Sequence, residues 1–139
     1  MSEYPTLSLV QFRTALQDIS QLELESKIHQ QLTFIFKLVE TNNELAKEIA
    51  SGEASAEDAQ MYRETIEENK SSLVEQIARV ESIYSEFVER GLISSDEKVA
   101  REKRLLDEIN ERDDEVKVGE HGERGGEEDK DKDVGEVLL

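Results

Sequence analysis

The side chains that most often carry chemistry are scarce in this sequence of 139 residues. Its two histidines, His29 and His121, stand far apart, and no pair has the spacing of a metal-ligand set. Cysteine is absent, which excludes disulfides, thiolate catalysis and Cys-ligated zinc. Asp129, Asp131, Asp133 and Gly135 imitate the opening of an EF-hand calcium loop. The glycine falls at the seventh position instead of the sixth, and the sequence ends before the glutamate expected at the twelfth. A solvated acidic tail accounts for those residues better than a calcium site. Neither a G-x-S-x-G elbow nor a phosphate-cradling glycine loop occurs. No catalytic residue, cofactor or metal is therefore expected, and an enzyme is the remotest class. The chemistry left is recognition, carried by core amides and by apolar side chains at helical spacing.

Two of those amides, Asn42 and Asn69, sit in heptad seams. Ile28, Gln31, Ile35, Leu38, Asn42, Leu45 and Ile49 follow one another in alternating steps of three and four. Ala59, Tyr62, Ile66, Asn69, Leu73, Gln76, Val80, Ile83 and Phe87 do the same. A period of about 3.5 residues keeps one stripe facing a partner helix. Only Gly52-Glu53-Ala54 breaks the pattern, which is too short for anything but a tight turn, so the two seams must face each other. The expected fold is all-α: an antiparallel coiled-coil hairpin over residues 20–91, a rod about 50 Å long at 1.5 Å per residue. If facing positions add to 111, Asn42 meets Asn69, Leu38 meets Leu73, Leu45 meets Ile66 and Ile35 meets Gln76. Two facing amides satisfy each other where one alone would be stranded, so Asn42 and Asn69 are expected to set the register.

The flanking elements follow from caps and periodicity. Leu9, Phe12, Leu16 and Ile19 recur at helical spacing behind a Ser8/Gln11 capping box, which predicts a short helix over residues 8–18 within an N-terminal segment 1–19. Ser20 with Glu23, and Ile19 with Leu24, make a capping box and a hydrophobic staple that start the first long helix. Gly52 is its left-handed stop. Ser55 with Asp58 starts the second, and Gly91 ends it. Ser94 and Glu97 suggest a further start. Val99, Leu105, Leu106 and Ile109 would then give a thin apolar face to a short charged helix within residues 92–110. Residues 111–139 are Gly-rich, acidic and aperiodic, and are expected to be a disordered tail that ends in Val137-Leu138-Leu139.

Charge narrows the partners. The formal net charge is −17, with 36% hydrophobic and 37% charged residues. Acids outnumber bases in residues 1–19, 20–91 and 92–139 alike, so nucleic acid and anionic lipid surfaces are poor targets. The longest apolar run, Phe34-Ile35-Phe36, is far short of a bilayer span. Met1-Ser2-Glu3-Tyr4-Pro5 lacks a signal-peptide pattern. An intracellular soluble protein is expected, cytoplasmic, with the nucleus as an alternative.

The surplus lies beside the seams. The first long helix carries Leu32, Phe36, Val39 and Ala46, and the second carries Val74, Ile77, Tyr84 and Val88. These are e and b positions, where a two-stranded coil normally places charge. An antiparallel pair brings e opposite e, so both stripes line one side of the hairpin and form a groove for a third helix. Leu32, Phe36, Val39, Ile77 and Tyr84 are the candidate partner-binding residues. Three occupants fit: the 8–18 helix, a second copy of the chain in a four-helix bundle, or the helix of a partner.

Phe12-Arg13-Thr14-Ala15, Ser20, Glu23-Leu24 and Asn42-x-x-Leu45-x-Lys47-x-Ile49 add a family resemblance, continued by Tyr62, Glu68-Asn69 and Leu73. Over roughly residues 10–80 the chain resembles the ATPase-dedicated proteasome assembly chaperones of budding yeasts, a stress-inducible family also catalogued as translation-machinery-associated. The turn after Ala50 is shorter here, and the acidic tail does not align. The resemblance implies a non-enzymatic chaperone that binds the N-terminal coiled coil of a proteasomal ATPase subunit. There it promotes assembly of the base of the regulatory particle. It supplies no binding residues; the groove is read from the heptads alone. The rival expectations are a structural subunit of a permanent coiled-coil tethering complex and a prefoldin-like arm, although no β-rich stretch is present to build the latter's platform.

Overall fold

In the computed structural model the described residues are 7–113, and they form four helices with no strand among them. These are α1 (Leu9–Leu16), α2 (Gln21–Ser51), α3 (Ala56–Glu89) and α4 (Ser95–Arg112). The architecture is all-α, a long antiparallel hairpin of α2 and α3 with a short helix before it and another after it. Of the expected acidic tail, residues 111 and 112 belong to α4, whereas 114–139, with His121 and the aspartates of the EF-hand-like run, lie outside the described residues.

Each helix begins where a serine side chain takes over a backbone donor. Ser8, Ser20, Ser55 and Ser94 are extended N-caps that accept from the amides of Gln11, Glu23, Asp58 and Glu97. At Ser8 and Ser20 the third helical side chain reaches back to the cap amide and closes a full capping box. The hairpin turns at Gly52, whose φ of 77° is the left-handed conformation that costs glycine nothing. Gly91 has a φ of 75°. The Gly91 amide donates to the Val88 carbonyl and the Leu92 amide to that of Phe87, the paired bonds of a Schellman stop.

Two helix ends differ from expectation. The first helix closes at Leu16, where the Gln17 and Asp18 amides fold back onto Thr14 and Ala15 in a tighter turn. The last helix starts at Ser95 and runs on to Arg112. Val99, expected on its apolar face, is 62% exposed, because the buried face is the i, i+4 pair Leu105 and Ile109.

The core is a seam with a thick end. Leu24, Ile35, Val80 and Ile83 are fully buried, and Phe12, Leu16, Ile28, Val39, Tyr84, Phe87, Leu105 and Ile109 join them in one cluster. Asn42 is buried and meets Asn69 across the seam. Gln76 lies opposite Ile35 by the arithmetic above, but its side-chain oxygen accepts from Gln31 Nε2 at 2.8 Å, one turn along. A second amide pair results, since an amide left against aliphatic neighbours alone would forfeit its partner.

Candidate protein-binding groove

The five groove residues gather on one side of the hairpin and share one cluster: Val39 and Tyr84 are buried, while Leu32, Phe36 and Ile77 are half-buried. The helix that covers them is α4, which packs on both α2 and α3. Of the three occupants the heptads allow, the 8–18 helix is seated elsewhere.

Its seat is the opposite flank of α3. The Phe12 ring lies beneath the Arg79 guanidinium, 5.0 Å from the ring centroid, and Arg79 Nη2 donates to the Leu7 carbonyl at 2.8 Å. Arg13 Nε donates to the buried Ser82 Oγ at 3.1 Å, and that hydroxyl donates on to Ala78 O. Arg90 Nη2 donates to the carbonyls of both Leu16 and Ile19 at 2.8 Å, and Glu86 holds the guanidinium from behind. In heptad terms Arg79 and Glu86 occupy g and Ser82 occupies c, so α1 takes the g/c side and leaves the e/b side to α4. Cation–π contact and charged donors to orphan carbonyls hold this short helix alongside the burial of Phe12 and Leu16.

On the groove side α4 is placed by two arginines. The Arg101 guanidinium stands 5.9 Å from the Tyr84 ring centroid, in a cleft also lined by Glu25 and Leu32. The Arg112 guanidinium stands 4.2 Å from the Phe36 centroid, in a second cleft lined by Val39 and Glu40. Asn43 Nδ2 donates to the Arg112 carbonyl at 2.8 Å. Leu105 and Ile109 fall between these anchors and are buried. Each contributes about 1.5–3 kcal/mol relative to exposure. Helix α4 thus runs parallel to α2, its aliphatic pair over the strip between the two aromatic rings.

The electrostatics of the groove follow from that placement. Burial pushes the Tyr84 phenol above its ordinary value; Arg101 and Arg104 pull the other way, and Glu102 adds to the rise. The hydrogen bond from Arg101 holds the Glu97 carboxyl below its ordinary value. Glu102 Oε2 is buried and lies 2.8 Å from the Lys98 ammonium, yet off the directed geometry of a hydrogen bond.

Sequence reasoning missed the two arginines and the three that seat α1. Their charge reads as solvent-facing in any hydropathy pattern, and the one available signal was the i, i+4 spacing of Arg101, Leu105 and Ile109. Among the described residues no cluster of histidine or carboxylate side chains could hold a metal ion. None of the helices is long and apolar enough to cross a membrane.

The class the fold defines is an all-α helical hairpin whose off-seam apolar strip is covered by a further helix of the same chain. The TMA17 helical domain matches residues 8–94, well over half of the chain, and the chain belongs to that family, which is of chaperone type and non-catalytic. No curated protein and no solved structure matches it.

Proposed function

We propose that this chain is an assembly chaperone that binds the N-terminal coiled-coil region of a proteasomal ATPase subunit and promotes assembly of the base of the regulatory particle. Leu32, Phe36, Val39, Ile77 and Tyr84 form the partner surface. The observation that carries the proposal is the apolar e/b strip shared by α2 and α3, a site shaped for one helix and filled by one. Family membership and the resemblance to proteasome assembly chaperones point to which helix that is. Mechanistically, the hairpin shields an exposed heptad face of the ATPase until the correct neighbour arrives. The net charge of −17 favours a basic target and opposes self-association. The place of action is the cytoplasm, with the nucleus as an alternative.

The test is binding of a recombinant ATPase N-terminal segment to the full chain, read by calorimetry, with Leu32→Glu and Ile77→Glu as groove variants. Tenfold or greater weakening by both, with helix content retained, is expected. Binding that ignores both changes overturns the groove. Co-purification of the chain with finished 26S particles, rather than with precursors alone, would favour a permanent structural subunit.

A further inference from the structure

The matched helical domain ends at residue 94, and α4 begins at the next residue. The helix in the groove is therefore an appendage to that domain, and its apolar hold is thin beside the two ring-stacked arginines and the Asn43 bond. Two aliphatic side chains, Leu105 and Ile109, carry its apolar burial, with Leu106 only partly covered. Among the described residues its ion pairs run within the helix itself: Lys98–Glu102, Arg101–Glu97, Arg104–Glu97, Lys103–Asp107 and Arg112–Glu108. The Lys98–Glu102 pair is drawn partly out of water, and such pairs contribute little net stability. By contrast α2 and α3 bury each other along a full heptad seam.

The clefts at the two ends of α4 share one chemistry. Each sets a guanidinium over an aromatic ring of the hairpin, Arg101 over Tyr84 and Arg112 over Phe36, with Glu25 or Glu40 lining the same cleft while the arginine's ion pair runs to Glu97 or Glu108 within α4. A planar, permanently charged group can lie over a ring and face a carboxylate together, which an ammonium does less well. The spacing is Arg, four residues to Leu105, four to Ile109, and three to the second Arg. That is the i, i+4 anchor pattern of a helix seated in a groove, with a cation at each end.

We infer that α4 is a built-in competitor for the groove, and that the partner helix displaces it by presenting the same signature, an i, i+4 aliphatic pair bracketed by arginines; this rests on the groove being the partner site proposed above. While α4 is docked the groove is closed, so apparent affinity falls by the fraction of time it stays open.

The experiment uses the full chain and a variant carrying Leu105→Asp with Ile109→Asp, which releases α4. Circular dichroism checks that the hairpin remains. A milder variant, Arg101→Gln with Arg112→Gln, serves if the first fails to fold. Two probes are titrated: a labelled peptide of residues 95–113, and the same peptide with both arginines changed to glutamine. The released chain is expected to bind the peptide about tenfold or more tightly than the wild-type chain. The glutamine peptide should bind the released chain several-fold more weakly than the native one. Equal affinity of wild-type and released chains for the peptide overturns the competition. Equal affinity of the two peptides overturns the arginine signature. The ATPase segment is then added as competitor on the released chain. If it fails to displace a bound peptide, the proposed partner is wrong while the competition by α4 stands.

Discussion

Asn69 Nδ2 donates to Asn42 Oδ1 at 2.9 Å across the hairpin seam. Asn42 Nδ2 in turn points to the Ile66 carbonyl at 3.4 Å, so the buried amide has a use for each of its ends. A one-heptad slip to a facing sum of 104 would separate the pair and set Asn42 against Tyr62 and Asn69 against Ile35.

Asn42→Leu and Asn69→Leu should each destabilise the hairpin by about 1–3 kcal/mol, because each strands the other amide. The double change should cost less than the worse single change, since a dry apolar layer replaces the pair. Denaturant unfolding of the four species in a double-mutant cycle checks this, and additive effects would mean that the asparagines are not coupled.

Arg90 closes the end of α1 by donating to Leu16 O and Ile19 O. Arg90→Ala should cost roughly 1.5–3 kcal/mol, the range for hydrogen bonds to a charged group. Arg90→Lys should recover only part, since an ammonium lacks the fork that spans two carbonyls while Glu86 holds it. Amide exchange should locate the loss in α1 and leave the hairpin tip unchanged.

Groove and seam should separate under mutation. Leu38→Glu places a charge in the heptad seam and should unfold the chain first. Phe36→Ala, off the seam and half-buried, should lower the melting temperature far less than Leu38→Glu and should loosen α4 by removing the ring under Arg112. In a chain with α4 released it should weaken the ATPase segment by about 2 kcal/mol or more if Phe36 is an anchor. Tyr84→Glu belongs with the seam changes despite its e position, because α4 and Phe87 enclose the ring.

Burial raises the Tyr84 value, so the folded state holds the phenolic proton more tightly than the unfolded state does. This contribution is intact below the ordinary tyrosine value of 10.0 and is lost as pH rises through the raised folded value. Melting temperature should therefore fall in alkali by less in Tyr84→Phe than in the wild-type chain. Arg101→Gln should push the Tyr84 transition still higher in phenolate absorbance titrations, since it removes a cation that favours the phenolate. Glu97 has the opposite sign. Its lowered value stabilises above the ordinary carboxylate range and fades as pH falls through the folded value, weakly, because the side chain is exposed.

The parts of this structure that could be read in the sequence are local or periodic. Ser8, Ser20, Ser55 and Ser94 announce helix starts because a cap needs only three or four neighbouring residues. Asn42 and Asn69 could be paired because heptads propagate a single register along both arms. The seat of α1 and the cover over the groove were hidden for one reason. Arg13, Arg79, Arg90, Arg101 and Arg112 make those contacts with guanidinium planes and long stems, and a pattern of polar and apolar letters assigns them all to solvent.

The two flanking helices clasp one end of the rod and leave the other bare. Beyond the Asn42–Asn69 layer Ile66 is the buried seam residue, while Leu45, Ile49, Ala59 and Tyr62 are half-buried. Opening should begin at the Gly52 tip and stall at the amide layers, so amide protection should climb from the tip toward Ile35 and Ile83 as a gradient. The turn at Gly52 keeps the two arms joined at this softer end, so the tip can lose and regain helix locally while the clasped base holds the register.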